Sequence, residues 1–568
     1  MALPRPRAFN FAHDVVDAQP RDAQAMFWVS ADGARQRQLS YGYFASRSRR
    51  VASWLLELGL RRGDVVLLVL PRWVEWWEIA VAALRAGIVL CPATTLLVDK
   101  DLAFRCQQTR ARVFIGDEVG VAKVRRVRDQ CPDLETVVCV REEEGRATTA
   151  GEEEDGVVDF REAVERSSSV WDDGEGRRTG PEDPALIFFT SGTSGPPKMV
   201  RHSQISYPLA HKITGKHWLQ LEPGKLYWNL SEQGWAKAAW SFFGTWNCGA
   251  SLFIHDDRRA FSATRLLDNL HKYPITTLCA PPTAYRQLVL QENQKYLKAH
   301  PPRALEHCTG AGEPLNDSVV ETWQQMTGLP IHDGYGQTET IMVCGNFRGM
   351  KIKPGSMGKP SPGVPLFVID ADGKECPPGV EGDIAILRSS DSFFGIFDGY
   401  LSPNGELDRR IKILGGRPWY LTGDRATRDE EGYFWFVGRS DDVINSSGYR
   451  IGPFEVESTL KLHPAVVESA VVASPDANRG EVVKAFIVLT SQYSAKTHSE
   501  AEIASLTREI QEFCKAHAAP YKYPRKIEFV GANFLPKTIS GKIKRAELKA
   551  LERKRGGAAE SQGRGAKL

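Results

Sequence analysis

The sequence contains no run of about 18 apolar residues, the length a helix needs to cross a bilayer, and no apolar signal-type core between Met1 and Pro20. Stable membrane insertion is therefore not expected. Its ten cysteines include no Cys-x-x-Cys pair, which favours a reducing compartment and thiols packed as small hydrophobes. Charge of one sign is lacking too: the formal net charge is +3, so electrostatics makes no case for nucleic acid as a partner. There are no internal repeats. What remains is an ordinary globular composition, 42% hydrophobic and 25% charged. One core rarely grows past roughly 250–300 residues, so a chain of 568 residues should form at least two domains.

The apolar pattern is of α/β type. Val65 to Leu70 reads as a strand buried on both faces, Trp73 to Ala86 as a helix and Ile88 to Cys91 as a second strand, which together make a βαβ unit. Phe44, Val51, Leu55 and Leu58 recur at helical spacing. Leu186 to Phe189 and Ser251 to Ile254 add strands, and the acidic stretch Glu142 to Gly156 reads as a solvated loop. From Asp383 to Tyr400 the pattern turns antiparallel or barrel-like. A smaller α+β unit begins near Val443, with paired strands at Val466 to Ala473 and Val483 to Leu489 and a helix at Ile503 to His517. The expected domains are residues 1–439 and 440–552, followed by a flexible basic tail at 553–568.

Directly after the strand Leu186 to Phe189 comes Thr190-Ser191-Gly192-Thr193-Ser194-Gly195-Pro196-Pro197-Lys198. Glycines let backbone N–H groups converge on an oxyanion, hydroxyls add donors and the lysine adds charge. The GxxxxGK[ST] pattern does not fit this phosphate-cradling loop. Further along stand Gly312-Glu313-Pro314, Asp333-Gly334-Tyr335-Gly336-Gln337-Thr338-Glu339 and Tyr420-Leu421-Thr422-Gly423-Asp424. Gly438-Arg439-Ser440-Asp441-Asp442, Gly448-Tyr449-Arg450-Ile451 and Pro536-Lys537-Thr538-Ile539-Ser540-Gly541-Lys542 follow. In this order and spacing the motifs resemble the AMP-forming acyl-CoA synthetases of the adenylate-forming superfamily, over essentially residues 25–550. Tyr521 to Phe529 and Trp235 in Gln233-Gly234-Trp235 look closest to the medium-chain acyl-CoA synthetases.

The resemblance implies an acid–CoA ligase that uses ATP, Mg²⁺ and coenzyme A and passes through an acyl-adenylate. It also implies an α/β fold: a large N-terminal lobe of layered α/β subdomains with a β-barrel-like section, and a small mobile α+β C-terminal domain. A carboxylate must attack the α-phosphorus of ATP, and two anions repel, so a cation has to bridge them. Lys542 is the implied cation. Thr338 and Glu339 would stand beside the phosphates, with Glu339 as a Mg²⁺ carboxylate. Asp424 and Arg439 would hold the ribose, Tyr335 would lie against the adenine, and Gly312 to Pro314 with Asp333 would frame it. Arg450 would contact phosphate, Gly448 and Tyr449 would border the CoA tunnel, and Asp441 would be the hinge on which the C-terminal domain turns between two half-reactions.

The implied acyl pocket draws on Trp235, Ala239, Gly310, Gly336 and Thr340. Acetate-specific relatives carry Trp at the position of Gly336, so the glycine should open space for a medium-chain aliphatic or an aromatic acid. Glu232 and Gln233 depart from the family pattern, as does Asn445, where many members have Lys. An adenylating enzyme loading a separate carrier protein, a luciferase-like oxygenase or a non-catalytic nucleotide-binding protein would share the fold. The chain closes on Ala566-Lys567-Leu568, a variant of the Ser-Lys-Leu peroxisomal address. A peroxisomal protein recognised by an import receptor is therefore expected, or a cytoplasmic one otherwise, serving fatty-acid breakdown or secondary metabolism.

Overall fold

The computed structural model describes residues 3–142, 156–167, 171–172, 174, 179–190, 196–312, 317–388, 393–440, 442–446, 449–476, 479–495, 499–538 and 542–564. The acidic stretch expected as a loop lies almost wholly outside them. The chain divides into two compact units. The first comprises Met1–Thr190, Lys198–Leu366 and Arg388–Ile411, and the second Ser191–Pro197, Phe367–Leu387 and Lys412–Leu568. The division expected at 439/440 thus falls inside the second unit, where the antiparallel section joins the C-terminal residues.

Two nine-stranded sheets build the first unit. In one, the strands Ile331–Gly336, His307–Ala311, Thr277–Ala280, Leu226–Asn229, Ser251–His255 and Gln24–Val29 run parallel in that order. Antiparallel strands close both edges. In the other, Pro184–Thr190, Val89–Pro92, Val65–Val69, Val113–Gly116, Thr136–Cys139 and Val157–Asp159 run parallel. Lys198–Ser203 and Gly399–Leu401 are added antiparallel beside Pro184–Thr190. The βαβ unit read from the sequence is present as Val65–Val69, Val74–Ala86 and Val89–Pro92. Its central strand is Val- and Leu-rich because helices cover both faces and leave no solvent side to pattern.

Helix Val74–Ala86 carries an arginine whose side chain is wholly buried, Arg85. Its guanidinium donates to both carboxylate oxygens of Asp17, at 2.8 and 2.9 Å, and its Nε to Ser48 Oγ at 3.2 Å. Arg49 adds a second contact to Asp17 at 2.7 Å. Helix Tyr41–Glu57 is thereby tied to Val74–Ala86 through one buried ion cluster.

In the second unit, Gly382–Leu387, Arg417–Arg428 and Phe434–Arg439 pair antiparallel within a five-stranded sheet, where the sequence pattern indicated an antiparallel or barrel-like section. Beyond it, Val466–Asp476 and Gly480–Leu489 form the expected strand pair. Helix Glu500–His517 starts on a capping box in which Ser499 and Glu502 bond reciprocally. Ile444, Val456, Leu460, Val483, Ile487, Leu506 and Ile510 fill the core between strands and helices. Where the sequence suggests a basic tail from residue 553, helix Arg545–Arg564 continues through Arg553 to Arg564. Its Ala, Glu, Lys, Arg and Gln are strong helix formers, which outweigh Gly556 and Gly557. Among the described residues no helix is long and apolar enough to cross a membrane.

Removing Arg85 deletes two charge-assisted bonds to Asp17, which keeps its contact with Arg49, at a cost of about 1.5–3 kcal/mol. Arg85→Met is therefore expected to lower the thermal unfolding midpoint by several degrees, measured by calorimetry. An unchanged midpoint would show that the cluster contributes no net stability.

Candidate active site

In the first unit the motif residues gather where parallel strands end at their carboxyl side, the usual place for ligand chemistry in open α/β sheets. Strand Leu226–Asn229 leads to Trp235, strand His307–Ala311 carries Gly310 and leads to Gly312, and strand Ile331–Gly336 carries Asp333, Gly334, Tyr335 and Gly336. The loop after Thr190 connects two antiparallel strands, with Thr190 opposite Lys198. Ser191, Gly192, Thr193, Ser194 and Gly195 lie outside the described residues, as do Glu313 and Pro314.

The turn after Gly336 is fixed from several sides. His202 Nε2 donates to the Thr338 carbonyl at 2.7 Å, and Phe397 N donates to the Glu339 carbonyl at 2.7 Å. Ile341 N donates to Gly395 O at 3.1 Å. The Glu339 carboxylate is buried and accepts the Tyr400 hydroxyl at 2.7 Å. Thr340 is buried, and its hydroxyl is held within the turn, donating to Ile341 O at 2.8 Å and accepting Gln337 N at 3.1 Å. Burial drives the His202 pKa down to about 3, so the ring is neutral and presents a single proton to Thr338. One residue from Phe397, burial raises Asp398 to about 6 despite its pairing with Arg201 at 3.1 Å.

Several motif glycines answer to close backbone approach. Gly312 has φ +108°, and a Cβ there would lie 2.1 Å from Lys237 Nζ, which reaches over to donate to Ala311 O. At Gly234 (φ +95°) a Cβ would fall 2.1 Å from the Ala93 carbonyl carbon. That contact explains the unusual strip beside it: Thr95 Oγ1 donates to Glu232 at 3.0 Å, and Gln233 is buried. A Cβ on Gly336 would sit 2.7 Å from Ile341 O. The glycine therefore serves the turn, and a tryptophan placed there would have to displace backbone before it could fill any pocket.

Trp235 is half-buried and stands at the N-terminal boundary of helix Ala236–Asn247, whose Ala239 lies one turn on and is buried. At Gly310 a Cβ would come within 3.3 Å of Ile331 Cγ2 and 3.8 Å of Tyr285. Tyr335 is half-buried at the strand end. The helix itself is seated by Gly215, where a Cβ would meet Gly244 O at 2.1 Å.

In the second unit, Asp424 is buried on strand Arg417–Arg428, directly across from Arg439. The Arg439 guanidinium Nε lies 3.5 Å from Asp424 Oδ1, and Asp424 N donates to Thr422 Oγ1 at 3.2 Å. A carboxylate and guanidinium side by side on adjacent strands suit a vicinal diol. Lys542 is exposed, in a turn where its N–H donates to Thr538 Oγ1 at 3.1 Å and its carbonyl accepts Thr538 N at 2.8 Å. Asp441, Gly448 and Gly541 lie outside the described residues. Tyr449 and Arg450 stand on strand Tyr449–Ile451, paired with Ser446 and Asn445. Asp442, next to the expected hinge, is buried and paired with Lys549 at 2.7 Å.

Three participants were not read from the sequence: His202, Tyr400 and Lys237. Nothing local marks them. Each acts across at least 60 residues of chain, and only pairing of distant strands and helices brings them to their partners.

Residues 12–401 match the family described as AMP-binding enzyme, and residues 455–542 match the AMP-binding enzyme C-terminal domain. The chain is 45% identical over 557 residues to the human acyl-coenzyme A synthetase ACSM3, mitochondrial, covering 96% of this chain and 90% of that one. Among solved structures, the anthranilate CoA ligase AuaEII in complex with anthranoyl-AMP superposes with a TM-score of 0.80 at 28% identity, covering 97% of this chain and 99% of that one. A benzoate CoA ligase from Burkholderia xenovorans LB400 gives 0.75 at 26% identity, covering 95% and 100%. The relatives in human, mouse and rat are named mitochondrial. That overturns the peroxisomal placement, and with it the import-receptor partner, read from Ala566-Lys567-Leu568. Three residues carry too little information to outweigh near-full-length relatives, and they lie outside the described residues.

A histidine buried neutral destabilises the fold as pH falls, because only the unfolded chain takes up the proton. For His202, with a folded pKa of about 3 against 6.5 unfolded, the loss should be about 2 kcal/mol between pH 7 and pH 5. His202→Gln keeps a donor for Thr338 and removes the titration. Its thermal midpoint should therefore decline less steeply than wild type below pH 6.5, where a free imidazole takes up its proton. Parallel declines would contradict a neutral, buried His202.

Proposed function

This chain belongs to the AMP-forming acyl-CoA synthetases, and from that premise we propose that the acid it activates is a medium-chain aliphatic or an aromatic one. Enzymes of this family convert a carboxylic acid, ATP and CoA to acyl-CoA, AMP and pyrophosphate through an acyl-adenylate, with Mg²⁺. The observation that carries the substrate reading is the half-buried Trp235 at the N-cap of helix Ala236–Asn247, which begins at the strand ends and carries Ala239 in its first turn. Trp235 offers a broad aromatic ring at the entry to the helix, and Ala239 adds almost no side chain one turn on. Such a surface favours a flat ring or a short alkyl chain, each buried CH₂ adding about 0.8 kcal/mol. The anthranilate and benzoate ligases among the structural neighbours act on acids of this size.

The residue roles follow from charge. In the first half-reaction the acid's carboxylate attacks the α-phosphorus and pyrophosphate leaves. Lys542 neutralises the two approaching anions and keeps them in line. Lys198 and the Thr190–Gly195 loop hold the β- and γ-phosphates, and Thr338 lies beside them. Among the described residues no three His, Cys, Asp or Glu side chains gather as a metal site. The single buried carboxylate of Glu339 fits Mg²⁺, which takes one or two protein carboxylates and completes its shell with phosphate and water oxygens. When bound, that ion neutralises the departing pyrophosphate. Asp424 and Arg439 take the ribose hydroxyls, and Tyr335, with Gly312 to Pro314 and Asp333, takes the adenine. Gln337, in the turn that carries Thr338, lines the nucleotide with them. In the second half-reaction the CoA thiol attacks the acyl carbonyl and AMP departs. A C-terminal domain, residues 440–552, that turns at Asp441 withdraws Lys542 and Arg450 and brings Gly448 and Tyr449 to the thiol's path.

The test is AMP release by the purified protein with ATP, Mg²⁺ and CoA over acetate, butyrate, hexanoate, octanoate, decanoate, benzoate, phenylacetate and cinnamate. Butyrate buries two more CH₂ groups than acetate and should exceed it about tenfold in kcat/KM, with the best acid in the C6–C10 or aromatic group. Acetate as the preferred acid would overturn the substrate reading.

A further inference from the structure

The structure assigns Tyr400 as the residue that positions the Glu339 carboxylate for Mg²⁺, an inference that rests on the metal role of Glu339 proposed above. Tyr400 lies on strand Gly399–Leu401, opposite Val200 of strand Lys198–Ser203. Its hydroxyl donates to Glu339 Oε1 at 2.7 Å, a charge-assisted bond that fixes one carboxylate oxygen and directs Oε2 to the cation. The phenol ring is itself held. Phe397 packs against it edge-on, with centroids 5.0 Å apart at 69°, and Lys198 Nζ lies 4.9 Å from its centroid. Lys198, Val200 and Tyr400 share one face of the antiparallel pair, because alternate strand residues point the same way and Tyr400 stands opposite Val200.

A carboxylate with free rotation about its last bond would present either oxygen to a metal at varying angles. The Tyr400 phenol removes that freedom. The backbone supports the same placement, since Phe397 N holds the Glu339 carbonyl from the adjoining segment. Mg²⁺ demands near-octahedral geometry, so a site with one protein carboxylate depends on how that carboxylate is aimed. Tyr400 also joins two charges of opposite sign without letting them pair: the hydroxyl serves Glu339 and the ring face serves Lys198. Each is left for its own part of the nucleotide, the carboxylate for the metal and the ammonium for the phosphates.

The test is calorimetric titration of ATP, with Mg²⁺ and with chelator in its place, into wild type, Tyr400→Phe, Glu339→Gln and the double variant, each with its thermal midpoint. Loss of a hydrogen bond that orients a metal ligand typically costs about tenfold or more in metal affinity. Tyr400→Phe is therefore expected to cut the Mg²⁺-dependent gain in ATP affinity about tenfold, leaving metal-free ATP binding as in wild type and lowering the midpoint only by the loss of one hydrogen bond to a buried carboxylate. In the Glu339→Gln background, Tyr400→Phe should cause no further loss. A Tyr400→Phe protein that keeps the full Mg²⁺ gain, or loses metal-free binding equally, would overturn the positioning role. If Glu339→Gln keeps the full gain, the metal role of Glu339 fails first, and the inference fails with it for that separate reason.

Discussion

The turn from Gln337 to Ile341 is a place where segments of the two large sheets of the first unit are joined by hydrogen bonds, and Thr338 and Glu339 take their positions from it. His202 reaches the Thr338 carbonyl from one sheet's antiparallel edge, while the turn itself continues a strand of the other. The segment Gly395 to Tyr400 supplies backbone bonds at Glu339 and Ile341 and a hydroxyl for the Glu339 side chain. A buried carboxylate without such partners would be costly. Here the compensation is built from three separate pieces of chain. A shift in any of them would move Glu339, so the site is as rigid as the joint between the sheets.

The glycines around that joint serve approach more than flexibility. Gly312 leaves space for the Lys237 ammonium, Gly234 lets the strip before Trp235 run against Ala93 and Thr94, and Gly336 admits the Ile341 carbonyl. The last of these changes how substrate size is to be understood. The sequence comparison treats Gly336 as an opening left by a missing indole. The geometry gives the glycine a backbone duty as well, because a Cβ there would meet the Ile341 carbonyl oxygen at 2.7 Å.

Much of this was legible in the sequence, because continuous apolar runs and ordered motifs report on local structure. Val65 to Leu70, Trp73 to Ala86 and Val466 to Ala473 fall within about three residues of the observed elements, as expected where one face or both are buried. That helix Arg545–Arg564 continues past Arg553 was not read from the sequence, because Ala, Glu and Lys suit a solvated tail and a helix alike. The grouping of the antiparallel strands with the C-terminal residues was not legible for a different reason. Antiparallel strands pair across long connections, and the contacts that gather Phe367–Leu387 with residues beyond Lys412 leave no local composition signal. Tyr400 and His202 were illegible on the same grounds, since their partners lie 61 and 136 residues away.

The central claim is that the acid's own oxygen becomes bonded to the α-phosphorus before CoA arrives. Supplying a preferred acid with ¹⁸O in its carboxylate, together with ATP, Mg²⁺ and CoA, tests this by mass spectrometry of the products. An acyl-adenylate requires one labelled oxygen in each AMP, because the C–O bond breaks when the thiol attacks and the oxygen stays on phosphorus. Label in pyrophosphate or inorganic phosphate with none in AMP would mean attack at another phosphorus, and would contradict the account.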